Sequence, residues 1–436
     1  MKVLIASTPA TGHLNPLLAI ARVLISSGHE VVGLSSTAMR ERIESAGARF
    51  HPFPAGADFD LRTIEKRFPE MKSMPPGPEM TLFLMTKVFF DAIPAQYEGL
   101  RQVLSGFAAD VILGDNFMYG TFPFLLGDGP RPAIVLCGTM FLHTGRDDGA
   151  PNFAGLPPAG NTGELAHYAA LYKGFDDAVF EPARQHLNAL LAVMDVKPVT
   201  MNVFDASVNL PDVFLQLTVP EFEFPREHIP DSVRFVGALP ISPNQAIIPE
   251  WAHELDGSKK VILVTQGTFS NHNFSQLIIP TIEALKNEHD LLLVVTTGGR
   301  EIEAIPGPLP SNTRIASYLP FEWIFPKVDV FVTNGGYGSI NQALSFGIPI
   351  VTAGLSEDKA DVNARVAWSG VGIDLKTSEP TSHQLLESIR HVLANNKFQL
   401  RAGLLATRYA EMDTPSRILA EIEYFMSSAD PLADGL

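Results

Sequence analysis

Apolar and polar positions alternate in short blocks along the first fifty residues. Residues 2–7 (KVLIAS) are almost continuously apolar, the pattern of a strand buried on both faces of a parallel sheet. Residues 16–27 then show helical spacing, with Asn15 as the expected N-cap and Pro16 at the tolerated first position. Gly28 stops that helix, residues 30–35 (EVVGLS) read as a second strand, 37–46 as a helix and 49–53 as a third strand. Further strands are expected at 110–113 and 133–136, and a strongly apolar helix at 80–90 (MTLFLMTKVFF). The stretch 147–158, rich in Gly, Pro and Asn, reads as a long loop. A second alternating unit begins near residue 251, with strands at 260–265, 290–296, 313–317, 328–333 and 348–352. Strand and helix in regular alternation specify an α/β protein with parallel sheets.

Two such units set the domain expectation: residues 1–237, a linker at 238–250 carrying three prolines and little charge, residues 251–412, and a terminal helix with tail at 413–436 that packs back on the first unit. The 436-residue length and 46% hydrophobic content support large cores and exclude global disorder. Asp and Glu outnumber Lys and Arg by 48 to 32, a formal net charge of −16, which opposes binding to nucleic acid or to anionic membranes. The lone Cys137 precludes an internal disulfide and fits a reducing, cytoplasmic setting. No apolar run reaches the length of a membrane span, and the first residues lack the pattern of a signal peptide.

In doubly wound sheets, ligands bind beyond the carboxyl ends of the strands, so the loops that follow strands hold the candidate chemistry. The first, 8–15, carries His13, the residue type best suited to take a proton near neutral pH; the bland alternative is a surface histidine. The second, 114–119, carries Asp115, which can either cap a helix or orient His13 if strands one and four are neighbours. The third, 265–271 (TQGTFSN), offers backbone donors at Gly267 and a hydroxyl at Thr268. The fourth, Asn334-Gly335-Gly336-Tyr337-Gly338-Ser339, lies between a strand and a helix, where glycines let a phosphate approach backbone N–H groups. The fifth, 353–360, groups Glu357, Asp358 and Lys359, either a solvated charge cluster or a set of partners for sugar hydroxyls.

Together these loops resemble the family 1 glycosyltransferases, nucleotide-sugar-dependent enzymes of the GT-B fold, over nearly the whole chain. TGHLNP is similar to the family's G-H-x-x-P segment, which makes His13 the implied catalytic base, with Gly12 beside the donor and Asp115 as its paired aspartate. The stretch from 318 to about 374 resembles the family's nucleotide-sugar signature, and 220–239 resembles the approach to its interdomain linker. The resemblance places donor binding at Tyr318, Phe321, Asn334, Gly336, Gly338, Ser339, Gln342, Asp358 and Lys359, with Gly267 and Thr268 opposite. Four positions depart from the family pattern: Asn334 replaces a histidine, Gln342 a glutamate, Phe321 a glutamine and Lys359 a glutamine. The Asp58-Phe59-Asp60 triplet has the spacing of a metal site in a different glycosyltransferase fold, but lies away from the signature.

The implied activity is inverting, metal-independent transfer of a hexose, glucose above all, from a UDP-sugar to a small apolar or aromatic acceptor, giving a β-glycoside. No cofactor is expected, and no nucleic-acid or membrane partner. Phe83, Phe89, Phe117, Met118, Met140 and Phe141 are the expected acceptor wall, each with a core residue as its alternative reading. Two other activities fit a double-Rossmann scaffold. A nicotinamide-dependent oxidoreductase is suggested by Gly336-Tyr337-Gly338 with Asp358 downstream, although Asn341 stands where a third glycine belongs. A nucleotide-sugar epimerase would need no acceptor, and a catalytically silent binding protein is opposed by the presence of both His13 and Asp115.

Overall fold

The computed structural model describes residues 1–75, 77–240, 247–268 and 271–428. Two parallel sheets organise it. The first has seven strands in the order β3-β2-β1-β4-β5-β6-β7: β1 (Lys2–Ala6), β2 (Glu30–Ser35), β3 (Arg49–Pro52), β4 (Val111–Asp115), β5 (Ala133–Gly138), β6 (Val213–Gln216) and β7 (Val233–Phe235). The second has six in the order β10-β9-β8-β11-β12-β13: β8 (Lys260–Thr265), β9 (Leu291–Thr296), β10 (Thr313–Ala316), β11 (Val330–Thr333), β12 (Ile350–Thr352) and β13 (Gly372–Asp374). In both sheets the first strand of the unit lies beside the fourth, the doubly wound reversal that opens a crevice at the strands' carboxyl ends. Of the expected linker 238–250, residues 241–246 lie outside the described residues.

Strand side chains divide between two faces. Val3 and Ile5 of β1 join the same apolar cluster as Val261 and Leu263 of β8, while Leu4 and Ala6 pack on the other face of their sheet and Ile262 and Val264 on the other face of theirs. One continuous core therefore runs through the facing layers of both units. The final helix, Thr414–Ser428, contributes Ile418 and Ile422 to this core and pairs Glu423 with His29 at 3.2 Å and Glu421 with Arg234 at 3.3 Å.

Three local expectations are revised. The first helix, α1, spans Thr11–Ser26 with Ala10 as its N-cap, so Asn15 and Pro16 lie inside it. Buried Leu14, Leu17, Leu18, Ala21 and Leu24 keep one helical stripe, which extends the helix back past the proline at the expense of one ladder bond. The apolar run 80–90 is not one α-helix: Pro78–Phe83 is α-helical and Leu84–Phe90 continues it as a π-helix. Strands β6 and β7, only four and three residues long, were not foreseen.

Candidate active site

Strand register assembles the first half of the site. Ala6 pairs with Gly114, so the segments leaving β1 and β4 emerge side by side. Asp115 is completely buried and accepts hydrogen bonds from the Thr8 N–H at 2.6 Å, the Thr8 hydroxyl at 2.9 Å and the Phe117 N–H at 2.9 Å. His13, held on the first turn of α1, places Nδ1 3.0 Å from Asp115 Oδ1. Burial opposes the charge on Asp115, but His13 and these donors outweigh it and hold the carboxyl below its usual range. The Thr139 hydroxyl donates to Asn116 Oδ1 at 2.8 Å and lies 3.2 Å from the same Nδ1. With Nδ1–H directed at an ionised carboxylate, Nε2 is the basic nitrogen of the ring. Thr8, Asn116 and Thr139 had no sequence signal, because a threonine or asparagine after a strand is too common to stand out.

An aromatic wall stands beside this pair. Phe117 lies 5.1 Å from the His13 ring and stacks on Phe89 at 5.2 Å, with Phe204 6.2 Å away. Of the expected acceptor residues, Phe89 and Phe117 are thus brought to His13. Phe83 pairs edge-on with Phe68 instead. Met118, Met140 and Phe141 are buried core side chains: Met118 packs under the first sheet, Met140 belongs to the shared core, and Phe141 lies against Arg365. Met118 and Phe141 are thus fully enclosed, and Met140 keeps only 7% of its surface exposed.

The second half comes from the second sheet. Thr265 pairs with Thr333 and Thr333 with Thr352, so the loops after β8, β11 and β12 leave from one level. Gly336 is the N-cap of the helix Tyr337–Ser345, which places Gly338 and Ser339 in its first turn, among N–H groups the helix itself leaves unpaired. The Ser339 hydroxyl donates to the Gly336 carbonyl at 2.9 Å. Gly335 has φ of 110°, and a Cβ there would fall 2.2 Å from Asn363 Oδ1, so only glycine fits this turn. Asn334, expected to donate to a diphosphate, directs Nδ2 to the Gln266 carbonyl at 2.9 Å and thereby ties the third loop to the fourth. Gly267 flanks that tie with a left-handed φ of 70°, and Thr268 is exposed next to it. Gly12 is exposed on the first turn of α1, and Gln342 is half-buried on the helix Tyr337–Ser345.

Tyr318 is 45% exposed at the far rim, its ring lying against the Gly299 backbone. Phe321 lies against Phe325, ring centres 4.5 Å apart and tilted by 33°, and is packed against the shared core. Asp358 stands at the N-cap position of the helix Lys359–Ser369 without a side-chain capping bond; burial pushes its carboxyl up to about 6, against the pull of its own backbone N–H and of His13. Lys359 is buried, its ammonium set against the Glu357 carboxylate, and burial pushes its pKa down to about 8. Asp58 accepts from the hydroxyls and backbone around Ser36 and Thr37, and Asp60 grips Arg62, so the two carboxylates close local turns.

Between the sheets, Tyr337 turns away from the glycine loop and accepts from Gln216 Nε2 at 2.7 Å, while Thr218 donates to Asn341 Oδ1 at 2.5 Å. The residue in the third-glycine position therefore serves the interdomain contact.

Residues 283–425 match the family described as "Erythromycin biosynthesis protein CIII-like, C-terminal domain". The chain is 36% identical to UDP-glycosyltransferase 2 of Phaeomoniella chlamydospora, over 97% of this chain and 95% of that protein. It is 34% identical to 4'-demethylrebeccamycin synthase of Lentzea aerocolonigenes, over 94% of this chain and 96% of that protein. Among solved structures it is similar to the calicheamicin glycosyltransferase CalG4, at a TM-score of 0.75, 17% identity and 99% coverage of both chains. It is also similar to the spinosyn rhamnosyltransferase SpnG complexed with thymidine diphosphate, at a TM-score of 0.68, 19% identity, 97% coverage of this chain and 100% of that one. The chain is an enzyme of the UDP-glycosyltransferase family, built on the GT-B fold.

Proposed function

We propose that the protein transfers a hexose, most simply glucose, from a UDP-sugar to a hydroxyl of a small apolar or aromatic acceptor such as a phenol, flavonoid, macrolide or terpenoid. His13 Nε2 takes the hydroxyl proton as the acceptor oxygen attacks the anomeric carbon. The C–O bond to the diphosphate breaks on the opposite face, so an α-linked donor yields a β-glycoside. Asp115 holds the imidazole in the useful tautomer and stabilises it once charged. The observation that carries the reading is the His13–Asp115 pair, 3.0 Å apart, with Phe117 and Phe89 beside it.

The leaving diphosphate is assigned to the first-turn N–H groups at Gly338 and Ser339, with Gly267 and Thr268 opposite. In this reading those donors hold the anion without a metal. Tyr318 supplies the exposed ring for the base. In this reading residues 1–237 bind the acceptor and 251–412 the donor, in the cytoplasm. SpnG in complex with thymidine diphosphate supports a nucleoside-diphosphate donor on this fold, and the name of the Phaeomoniella relative favours UDP.

The test is product analysis from UDP- and dTDP-sugars against mixed phenolic and macrolide acceptors, by mass spectrometry and by the anomeric coupling constant. A β-linked glycoside with stoichiometric UDP release is expected. Donor conversion without acceptor would indicate the epimerase, and NAD binding without UDP binding the oxidoreductase.

A further inference from the structure

We infer that Arg365 is a positioning residue for sugar transfer. Its buried guanidinium ties both ends of the segment from Leu142 to Gly155 to the helix that carries Asp358 and Lys359. The inference rests on the transfer reading above and names residues that reading does not use.

Arg365 lies on the helix Lys359–Ser369 and is completely buried, with its charge 4.4 Å from the centre of the Phe141 ring and 4.1 Å from that of Phe224. Its Nε donates to Glu223 Oε2 at 2.8 Å, and Glu223 Oε1 accepts the Leu142 N–H at 2.8 Å. Its Nη1 donates to the Asp361 carbonyl at 3.0 Å, and Asp361 Oδ2 accepts the Gly155 N–H at 2.9 Å. Arg365 thus reaches one end of the segment by hydrogen bonds through Glu223, and the other through Asp361, whose Oδ1 lies 3.9 Å from its Nη1 and whose Oδ2 holds Gly155. Gly155 sits so tightly on this helix that a Cβ would fall 3.0 Å from that of Ala360.

Between those ends the segment reaches the acceptor wall. Phe153 is held at a left-handed φ of 67°, a conformation that persists in a bulky residue only where its surroundings enforce it. Its ring meets Phe204 at 5.2 Å, Phe204 meets Phe117 at 6.2 Å, and Phe117 meets His13 at 5.1 Å. Asn152 locks the turn by donating to the His143 carbonyl at 2.6 Å. The helix of Arg365 begins at the donor-sugar positions, so the same guanidinium touches elements that carry both substrates.

Burying a guanidinium for stability alone is inefficient, because well-packed apolar side chains of similar volume do as well or better. What an apolar side chain cannot do is direct two acceptors at once. The arrangement therefore serves geometry, and geometry matters most in the step that brings a hydroxyl to an anomeric carbon.

The test compares wild type with the double variant Glu223→Gln/Arg365→Met, which removes both members of the Arg365–Glu223 ion pair together, and with Arg365→Lys, which keeps a cation beside Glu223 and Asp361 but not its planar fork. Three readouts are taken: hydrogen–deuterium exchange across 142–158, UDP affinity by calorimetry, and kcat with both substrates saturating. For the double variant, exchange around Asn152 and Gly155 is expected to rise, UDP affinity to stay at the wild-type value, and kcat to fall by about 10- to 100-fold. Arg365→Lys should recover part of the loss. Wild-type exchange in the double variant, wild-type kcat despite faster exchange, or a kcat loss that only follows lost UDP affinity would each overturn the inference. If the wild type transfers no sugar, the transfer reading fails, whereas the exchange readout still decides whether Arg365 holds the segment.

Discussion

Asp115 satisfies four donors with two oxygens: the Thr8 N–H and hydroxyl, the Phe117 N–H and His13 Nδ1. Asparagine has one oxygen, and its NH₂ group turned towards Nδ1 favours the wrong tautomer. Asp115→Asn should therefore lower kcat by about 10²- to 10⁴-fold while UDP still binds, as steady-state kinetics beside calorimetry would show. Asp358 gives a pH dependence. Its carboxyl is raised from 3.8 to about 6, so the folded protein holds that proton more tightly than the unfolded chain, and this group's contribution to stability declines as pH rises from about 4 to 6. If the ionised form receives sugar hydroxyls, donor KM should climb as pH falls through about 6, and the step should vanish in Asp358→Asn. At this scale the sequence was informative about His13 and Asp115, because each is a distinctive residue type directly after a strand. It was silent about Thr8 and Thr139, which differ from other threonines only in what lies next to them.

Elements were readable where their pattern was long. The strand Glu30–Ser35 has five consecutive buried residues after the exposed Glu30, and its bounds agree with the expectation. Strands β6 and β7 are too short for any periodicity to register, and their place in the sheet comes from pairing with β5 and with each other. The start of α1 was misplaced because proline is a strong local marker, whereas the buried stripe from Leu14 to Leu24 is a tertiary effect. The glycine loop shows the opposite case, a local rule imposed by packing. Gly335→Ala combines a forbidden φ with a 2.2 Å clash, so it should cost about 1–3 kcal/mol at this turn. A lowered melting temperature with weakened UDP binding would show it, and wild-type values of both would mean the loop relaxes freely.

The molecule as a whole resolves an apparent conflict in charge. A chain of net charge −16 belongs to a family that uses anionic donors, yet its candidate donor loops present backbone N–H groups at the start of the helix Tyr337–Ser345. Lys359, the cation singled out from the sequence, is set against Glu357. Binding then depends on local dipoles, which a distant acidic surface hardly affects at physiological salt. Transfer should accordingly persist in excess EDTA, and loss of activity that Mg²⁺ or Mn²⁺ restores would show a metal requirement. The two-sheet architecture was legible from strand spacing alone. The contacts between the sheets, Gln216 with Tyr337 and Glu223 with Arg365, were not, because their partners lie more than a hundred residues apart. The measurement that tests the central claim most directly is His13→Ala assayed for both UDP binding and sugar transfer. Unchanged UDP affinity with transfer reduced by at least about 10²-fold is the predicted result, and undiminished transfer would contradict the assignment of His13 as the base.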